Sequence, residues 1–329
     1  MKQKIGGIKI ALYLAPLYIG CLLAKDPTQR PVTKVDFLTS MEWDAPKNKE
    51  YRDLYFASPN VATQTMFLLK ALYDKNNFFE RPGAYTSKVP KIIHQIWLGP
   101  KTPPAIFQTS QQSLKKHHPG WEYKLWTDAD IPSFILHNKK FYDLTNNYAE
   151  KADILRYELL YTFGGVYVDV DFLCFKPFDV LSQYNLWAAL EPLDCSHGTG
   201  INNAIIGSVP GHPILKHCIE SVEQSWYTGA NIYQRVGPEH FKESFVKYAQ
   251  EDLENIIALP KSFFYPLDYN QGMTYLKKKM KFNSIKSVIR PESFAMHLWA
   301  GSWKFSDKKP RKKKKRGVKK KLATQAKLS

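Results

Sequence analysis

Two aspartates, Asp169 and Asp171, stand two positions apart at the end of the run Gly-Gly-Val-Tyr-Val-Asp-Val-Asp, residues 164–171. The β-branched and aromatic residues predict a buried strand, and the two-residue period of a strand directs both carboxylates to one side. Neighbouring carboxylates repel each other unless a cation joins them. Mg²⁺ and Mn²⁺ prefer oxygen ligands and often bind substrate phosphates as well. The pair therefore indicates a metal–phosphate site.

A second acid and a cationic partner precede this strand. Apolar residues within 152–163 have the three-to-four spacing of a helix with one buried face, and Gly164 can end that helix. Asp153 and Arg156 would be neighbours on it and could hold hydroxyls and a diphosphate. Taken alone, the two aspartates also fit a turn or a solvated sheet edge, and Asp153 and Arg156 also fit a surface ion pair. The combination of both pairs favours a functional site.

These residues resemble a known family. Ala-Asp-Ile-Leu-Arg-Tyr at 152–157, followed by the Asp-x-Asp run, resembles the sugar-nucleotide-binding region of glycosyltransferases that carry a DXD motif. That group contains yeast initiating α-1,6-mannosyltransferase and bacterial capsular-sugar transferases, and it is distantly similar to the glucosyltransferase domains of large clostridial toxins. The resemblance spans residues 88–303 and includes the segments 92–99, 119–123 and 297–303. Several motifs in order are more specific than any one motif.

The resemblance implies both a fold and an activity. The fold would be α/β: a GT-A-like, Rossmann-type nucleotide-sugar-binding domain with a mostly parallel central sheet and helical additions. The activity would be metal-dependent transfer of a hexose, with retention of anomeric configuration and with Mn²⁺ or Mg²⁺ as cofactor. The donor would be a UDP- or GDP-hexose, and the acceptor a glycan, a lipid or a protein.

The resemblance also assigns roles to individual residues. The residues with an implied catalytic role are Asp153, Arg156, Asp169 and Asp171. The residues implied to contact the donor are Trp97, Tyr167, Asn203, Ser302 and Trp303. A metal site would be formed by Asp169, Asp171 and His297.

The positions of some of these residues agree with their implied roles. Trp97 ends the apolar run at 92–97, and ligands of open α/β sheets bind beyond the carboxyl ends of strands. A flat aromatic ring there suits a nucleobase. Asn203 interrupts a second apolar run, which costs free energy unless its amide is hydrogen-bonded. Each also has an ordinary alternative: Trp97 in the core, Asn203 in a turn and His297 as a satisfied core histidine.

The surrounding pattern predicts the elements that carry the site. Strands are predicted at 121–126, 186–191 and 201–207, and helices at 105–117 and after Pro213 and Pro238. This alternation is typical of βαβ units. A second Asp-x-Asp, formed by Asp128 and Asp130, is interpreted as the cap of a helix starting there, because carboxylates favour helix N-termini.

The 329 residues, with 44% hydrophobic and 14% aromatic content, belong to the globular class. We interpret 1–25 as a signal peptide or signal anchor, 26–87 as a helical N-terminal extension, 88–303 as the catalytic domain and 304–329 as a disordered basic tail. Lysines flank an uncharged run from Ile10 to Ala24, which is short for a membrane span. A buried N-terminal helix is the alternative. Membrane association is therefore expected, with a cytoplasmic location as the other possibility.

The tail at 304–329 holds 13 of the 47 lysine and arginine residues and one acid, Asp307, and so carries +12 of the net charge of +17. Such a run can bind an anionic membrane surface. It lacks interleaved aromatic residues, so specific recognition of nucleic acid is not expected. Two other functions are compatible with the sequence: a metal-dependent phosphohydrolase, and a non-catalytic protein that binds through the basic tail.

Overall fold

A computed structural model describes residues 35–57, 61–80, 86–193, 200–249, 255–278 and 285–301. The predicted signal segment at 1–25, Ser302, Trp303 and the basic tail at 304–329 lie outside the described residues. No helix in the described ranges is both long enough and apolar enough to cross a membrane.

A six-stranded sheet forms the centre of the described chain. In spatial order its strands are β2 (Glu122–Trp126), β1 (Ile92–Ile96), β3 (Gly165–Val168), β6 (Ile201–Ser208), β5 (Leu186–Leu190) and β7 (Ile256–Leu259). β1 is parallel to β2 and β3, β5 is parallel to β7, and β6 is antiparallel to both of its neighbours. All strands of this sheet except β6 therefore run in one direction. The predicted α/β class with a mostly parallel sheet is confirmed.

A small second sheet pairs two short strands, β4 (Phe172–Cys174) and β8 (Ala295–His297), in antiparallel orientation. Phe172 pairs with His297 in this register. Because β4 follows β3 after only three residues, the small sheet brings the C-terminal segment beside the end of β3.

The α-helices are α1 (Phe37–Ser40), α2 (Lys49–Ala57), α3 (Val61–Asn76), α4 (Ala105–His117), α5 (Lys139–Leu144), α6 (Tyr148–Phe163), α7 (Pro213–Glu220), α8 (Val222–Thr228), α9 (Ile232–Arg235), α10 (Pro238–Ala249) and α11 (Tyr269–Lys277). Single turns of 3₁₀-helix occupy Pro46–Asn48, Phe78–Glu80, Ile131–Ser133, Asp179–Gln183, Lys261–Phe263 and Lys286–Val288. The predicted helices at 105–117 and after Pro213 and Pro238 are confirmed.

Of the helices before residue 81, α3 packs directly on the sheet. α3 lies against β7, where the Asn76 side chain donates a hydrogen bond to the Ile256 carbonyl at 2.9 Å. The Tyr184 hydroxyl donates to the Asn76 carbonyl at 2.5 Å. The ring of Tyr73 meets that of Phe263 edge to face. These helices therefore share one continuous hydrophobic core with the sheet.

Helix α6 carries Asp153 and Arg156 and is more deeply buried than its sequence predicts. The Asn147 side chain caps its start by accepting a hydrogen bond from the Ala149 N–H, and Gly164 ends it at a φ of 64°. Residues 153–160 are all buried, because α6 packs on β1, β3 and β6 and is covered by α7. The expectation of a single buried face was wrong, and the polar residues of this helix must find partners inside the protein.

Candidate active site

The ends of several strands meet at one edge of the large sheet. These are the carboxyl ends of β1, β3 and β5 and, because it is antiparallel, the start of β6. A cleft of about 240 Å³ opens at this edge. Its lining includes every predicted site residue that the structure describes: Trp97, Asp153, Arg156, Tyr167, Asp169, Asp171, Asn203 and His297.

The two aspartates lie between the sheets rather than on a strand. β3 ends at Val168 and β4 begins at Phe172, so Asp169 and Asp171 occupy the connection. The expectation that both lie on one strand was wrong, because the chain leaves the large sheet to pair with β8. Both carboxylates nevertheless point to a common space, where their oxygens and a ring nitrogen of His297 lie within 4.8 Å of one another.

Asp171 is held from several directions by the C-terminal segment. Its Oδ1 lies 3.0 Å from His297 Nε2, and its Oδ2 accepts the Ala300 N–H at 2.7 Å. The Asp171 carbonyl accepts the Leu298 N–H at 3.0 Å. Burial alone would raise the pKa of Asp171, but the neighbouring His297 lowers it below the usual range. Burial likewise opposes protonation of His297, yet the Asp171 carboxylate raises the pKa of the imidazole.

The donor set of this cluster fits a divalent cation. Carboxylates suit Mg²⁺ and Mn²⁺, and an imidazole is a frequent additional ligand of transition metals. The 3.0 Å between His297 Nε2 and Asp171 Oδ1 matches the roughly 3 Å between adjacent ligands of an octahedral ion bound at about 2.1 Å. The other ring nitrogen, Nδ1, is buried and makes no hydrogen bond within the described ranges. Of the two ring nitrogens, Nε2 is therefore paired with Asp171, and Nδ1 has no partner in the part of the chain that the structure describes.

Arg156 forms the floor of the cleft with Asp153. Their side chains are both buried, and Arg156 Nη2 lies 2.8 Å from Asp153 Oδ1 and 3.4 Å from Asp169 Oδ1. Arg156 also donates to the Asn203 carbonyl at 2.5 Å, and the Asn203 amide donates to Asp153 Oδ1 at 3.0 Å. These contacts contradict the alternative of a surface ion pair and satisfy the amide that interrupts the apolar run of β6.

Burial dominates the electrostatics of this floor. It raises the pKa of Asp153 to about 7, although the Arg156 guanidinium opposes the shift. It also raises the pKa of Asp169, again against the effect of Arg156. Burial alone would lower the pKa of Arg156, but Tyr167 and the carboxylates of Asp153 and Asp169 raise it. A permanent cation thus lies among acids that are costly to keep ionised in the interior.

Tyr167 links the floor to the aspartate pair. Its side chain is buried in β3, and its hydroxyl donates to Asp169 Oδ1 at 2.5 Å. The Arg156 guanidinium lies 4.3 Å from the centre of the Tyr167 ring, in the geometry of a cation–π contact. Tyr167 therefore orients both Asp169 and Arg156.

Trp97 lies at the other end of the cleft, immediately after β1. It is half-buried, its ring stacks on Phe107 with 6.2 Å between centroids, and its Nε1 donates to the Lys101 carbonyl at 2.8 Å. The Asp128 carboxylate accepts the Gly99 N–H at 2.7 Å and so fixes the loop that follows Trp97. The indole is held rigidly while part of its surface faces the cleft.

The second Asp-x-Asp does not face the cleft cluster. Asp130 accepts hydrogen bonds from Lys124 and from the N–H and hydroxyl of Thr127. The helix expected to start near Thr127 is absent from this described stretch, which forms turns and the single 3₁₀ turn Ile131–Ser133. The prediction that these acids cap a helix was wrong: Asp130 makes no capping hydrogen bond to the 3₁₀ turn, and the two carboxylates accept the N–H groups of Gly99 and Thr127 instead.

Some residues of the site were not predicted. Gln95, fully buried in β1, donates to the Asp169 carbonyl at 3.2 Å, and the Tyr157 hydroxyl receives the Asn203 amide at 2.9 Å. Trp299 lines the cleft and has a left-handed backbone with a φ of 55°. Gln95 could have been found as a polar residue in an apolar strand. Tyr157 and Trp299 gave no such signal.

Two family models match this chain. The model "Glycosyltransferase sugar-binding region containing DXD motif" matches residues 104–187, and the model "Alpha 1,4-glycosyltransferase conserved region" matches residues 208–326. The first range contains Asp153, Arg156, Asp169 and Asp171. The second contains His297.

Individual relatives carry related names. Inositol phosphoceramide mannosyltransferase 1 of Schizosaccharomyces pombe is 30% identical over 270 residues, covering 79% of this chain and 75% of that protein. A mannosyl phosphorylinositol ceramide synthase of Saccharomyces cerevisiae is 32% identical over 159 residues, covering 46% of this chain and 40% of that protein. A solved structure, the PaToxG glycosyltransferase, aligns with 70% of this chain and 88% of its own at 16% identity and a TM-score of 0.44.

Proposed function

Because this chain belongs to the family of glycosyltransferases that carry a DXD sugar-binding region, we propose that it uses a divalent metal ion to transfer a hexose from a UDP- or GDP-sugar, with retention of anomeric configuration. The catalytic unit would be residues 88–303. Membership of this family makes the chain an enzyme of the glycosyltransferase class. The two alternative functions, a phosphohydrolase and a non-catalytic protein that binds through its tail, do not explain the match to this family.

One observation carries the proposal. Asp169, Asp171 and His297 converge in the cleft beyond β3, Trp97 follows the neighbouring strand β1, and the buried pair of Asp153 and Arg156 contacts Asn203 of β6, the neighbour of β3 on its other side. This order provides an aromatic surface for a base, a charged centre for a diphosphate and polar groups for a sugar. A nucleoside-diphosphate sugar has its parts in the same order.

The side chains would divide the work as follows. Trp97 would seat the nucleobase on its exposed ring face. Asp153 and Arg156 would orient the sugar hydroxyls, with the amide of Asn203 keeping Asp153 in place. Tyr167 would hold Asp169 toward the diphosphate. Ser302 and Trp303, which lie outside the described residues, would contact the diphosphate, as the resemblance implies.

Asp169, Asp171 and His297 would hold the metal ion, which would supply Lewis-acid stabilisation of the negative charge on the departing diphosphate. The deepest carboxylate, Asp153, is engaged by Arg156 and Asn203. It is therefore poorly placed to act as a free nucleophile. This supports a same-face route, in which the acceptor attacks from the side on which the diphosphate leaves.

The names of the relatives favour mannose as the sugar and a lipid with an inositol-phosphate headgroup as the acceptor class. A lipid acceptor would place the reaction at a membrane surface. The predicted signal segment at 1–25 and the basic tail at 304–329 would then both serve membrane attachment.

The test is release of nucleoside diphosphate by the full chain, with Mn²⁺ and a panel of UDP- and GDP-hexoses. Many transferases slowly hydrolyse their donor, so no acceptor is required. We expect one donor of the panel to be hydrolysed, and we expect it to be GDP-mannose. The release of nucleoside diphosphate should require the metal ion. Asp171→Asn should abolish it, whereas the matched change Asp53→Asn at an exposed position of α2 should not.

Two results would count against the proposal. Release of inorganic phosphate in place of nucleoside diphosphate would indicate a phosphohydrolase. Release that is unchanged by a chelator and by Asp171→Asn would remove the metal ion from the reaction. Retention is tested separately: an inverted anomer in the transferred product, identified by NMR from the one-bond coupling between C1 and H1, would contradict the same-face route.

A further inference from the structure

The cleft continues past the predicted sugar-binding groups. Along the sheet edge, Trp97 follows β1, Asp169 follows β3, Asn203 begins β6, and Glu191 follows β5. If Trp97 seats the base and Asn203 lies by the sugar, the next position, over β5, is where an acceptor must approach.

Two exposed tyrosines line the cleft. Tyr233 in α9 has 43% of its surface exposed, and Tyr269, the first residue of α11, has 38%. The C-terminal end of α9 lies beside Asn203, because the Tyr157 hydroxyl donates to the Val236 carbonyl at 2.8 Å and accepts the Asn203 amide at 2.9 Å. Tyr233 therefore lies on the acceptor side of the cleft.

Tyr269 is tied to the metal-ligand cluster by Trp299. The Trp299 ring lies 4.4 Å from the His297 ring and 6.2 Å from the Tyr269 ring, and it meets Tyr269 edge to face. The Trp299 Nε1 donates to the Leu267 carbonyl at 2.9 Å, which fixes the indole at the base of α11. Only the Trp299 ring therefore lies between Tyr269 and His297, where the diphosphate would leave.

The chemistry of these groups selects a ligand class. Tyrosine combines a flat apolar face with a hydroxyl, which suits a ring that has C–H groups on its faces and hydroxyls on its edge. The carboxylate of Glu191, which receives the Asn202 amide, adds negative charge at this end of the cleft and disfavours an anion there.

We propose that Tyr233 and Tyr269 form the acceptor subsite, and that it takes a neutral hydroxylated ring, a hexose or a cyclitol, rather than a phosphate or an acyl chain. The assignment of this subsite to the acceptor rests on the proposed function. Binding of a ligand to the subsite can nevertheless be measured without any turnover.

The experiment is saturation-transfer NMR of the full chain with methyl α-mannoside, myo-inositol and, as an uncharged apolar probe, hexan-1-ol. We expect at least one ring compound to bind and hexan-1-ol not to bind. Tyr233→Ala and Tyr269→Ala should each weaken ring binding by about tenfold, since a stacked aromatic contact contributes on the order of 1 kcal/mol or more. The corresponding Phe variants keep the ring and should retain most of the affinity.

Tyr227→Ala is the matched control, because Tyr227 is 66% exposed in α8 and packs on Phe141. It should bind like wild type, and urea unfolding of every variant should give wild-type midpoints. Binding of neither ring compound to the wild-type chain would overturn the proposal, as would equal binding by Tyr227→Ala and both cleft variants. A fall in donor hydrolysis in parallel with ring binding would overturn the proposal and assign the two tyrosines to the donor site.

Discussion

Tyr167→Phe removes one hydroxyl from the site and leaves the ring beneath Arg156. That hydroxyl donates to Asp169 Oδ1 at 2.5 Å inside the protein, where hydrogen bonds to charged groups contribute about 1.5–3 kcal/mol. Without it, Asp169 loses the donor that orients it and a proton competes more strongly for its carboxylate. We expect the affinity for Mn²⁺ to fall by about 10–100-fold, as is typical when a group that orients a metal ligand is lost.

The assay is Mn²⁺ titration of the full chain, followed by electron paramagnetic resonance of the free ion, together with urea unfolding. Tyr184→Phe is the matched control, because its hydroxyl is also buried and donates at 2.5 Å, to the Asn76 carbonyl on the other side of the sheet. Tyr167→Phe should lose about 1.5–3 kcal/mol of unfolding free energy, and Tyr184→Phe about 0.5–1.5 kcal/mol. Only Tyr167→Phe should lose metal affinity. Equal Mn²⁺ affinity in the two variants would refute the assignment of Tyr167 as a positioning residue.

Arg156→Met leaves Asp153 buried without its ion-pair partner, so urea titrations should show that the free energy of unfolding falls by about 3–5 kcal/mol. Lys216→Met, which breaks an exposed ion pair, should lower it by less than about 1 kcal/mol. Equal losses in the two variants would contradict the buried pairing. If the nucleobase stacks on the Trp97 ring, Trp97→Ala should raise the KM for the donor at least about fivefold, and Trp97→Phe should raise it much less. A change confined to kcat would show that Trp97 does not bind the base. Burial lowers the pKa of His118 to about 4, so the folded state binds fewer protons than the unfolded state, and about 3 kcal/mol of stability present above pH 6.5 is lost by pH 4. His118→Gln should flatten that part of the pH profile of unfolding, and an unchanged slope would show that the histidine does not cause it.

The sequence was sufficient for the main elements of the fold because their patterns are local. Helix α4 lies at the predicted 105–117, and strands β1 and β6 follow from apolar runs bounded by turn residues. The convergence of Asp169 and Asp171 followed from their spacing. The two carboxylates do share one space, although both residues lie after the end of the strand.

The remaining features depend on contacts between distant segments. The burial of α6 on all sides requires α7 to cover it, and no periodicity within α6 shows that cover. The approach of His297 to Asp171 requires the pairing of β4 with β8, more than a hundred residues away. Tyr233 and Tyr269 belong to helices whose position at the cleft is set by packing, so their sequence context did not reveal them.

The central claim is that one cleft holds a divalent ion between Asp169, Asp171 and His297 and a nucleotide along the sheet edge toward Trp97. The most direct measurement is a crystal structure of the chain with Mn²⁺ and a nucleoside diphosphate, with diffraction recorded at the manganese absorption edge. We expect one anomalous peak at about 2.0–2.3 Å from these three side chains, with the base on the Trp97 ring. A peak elsewhere, or a nucleotide bound away from this edge, would contradict the claim.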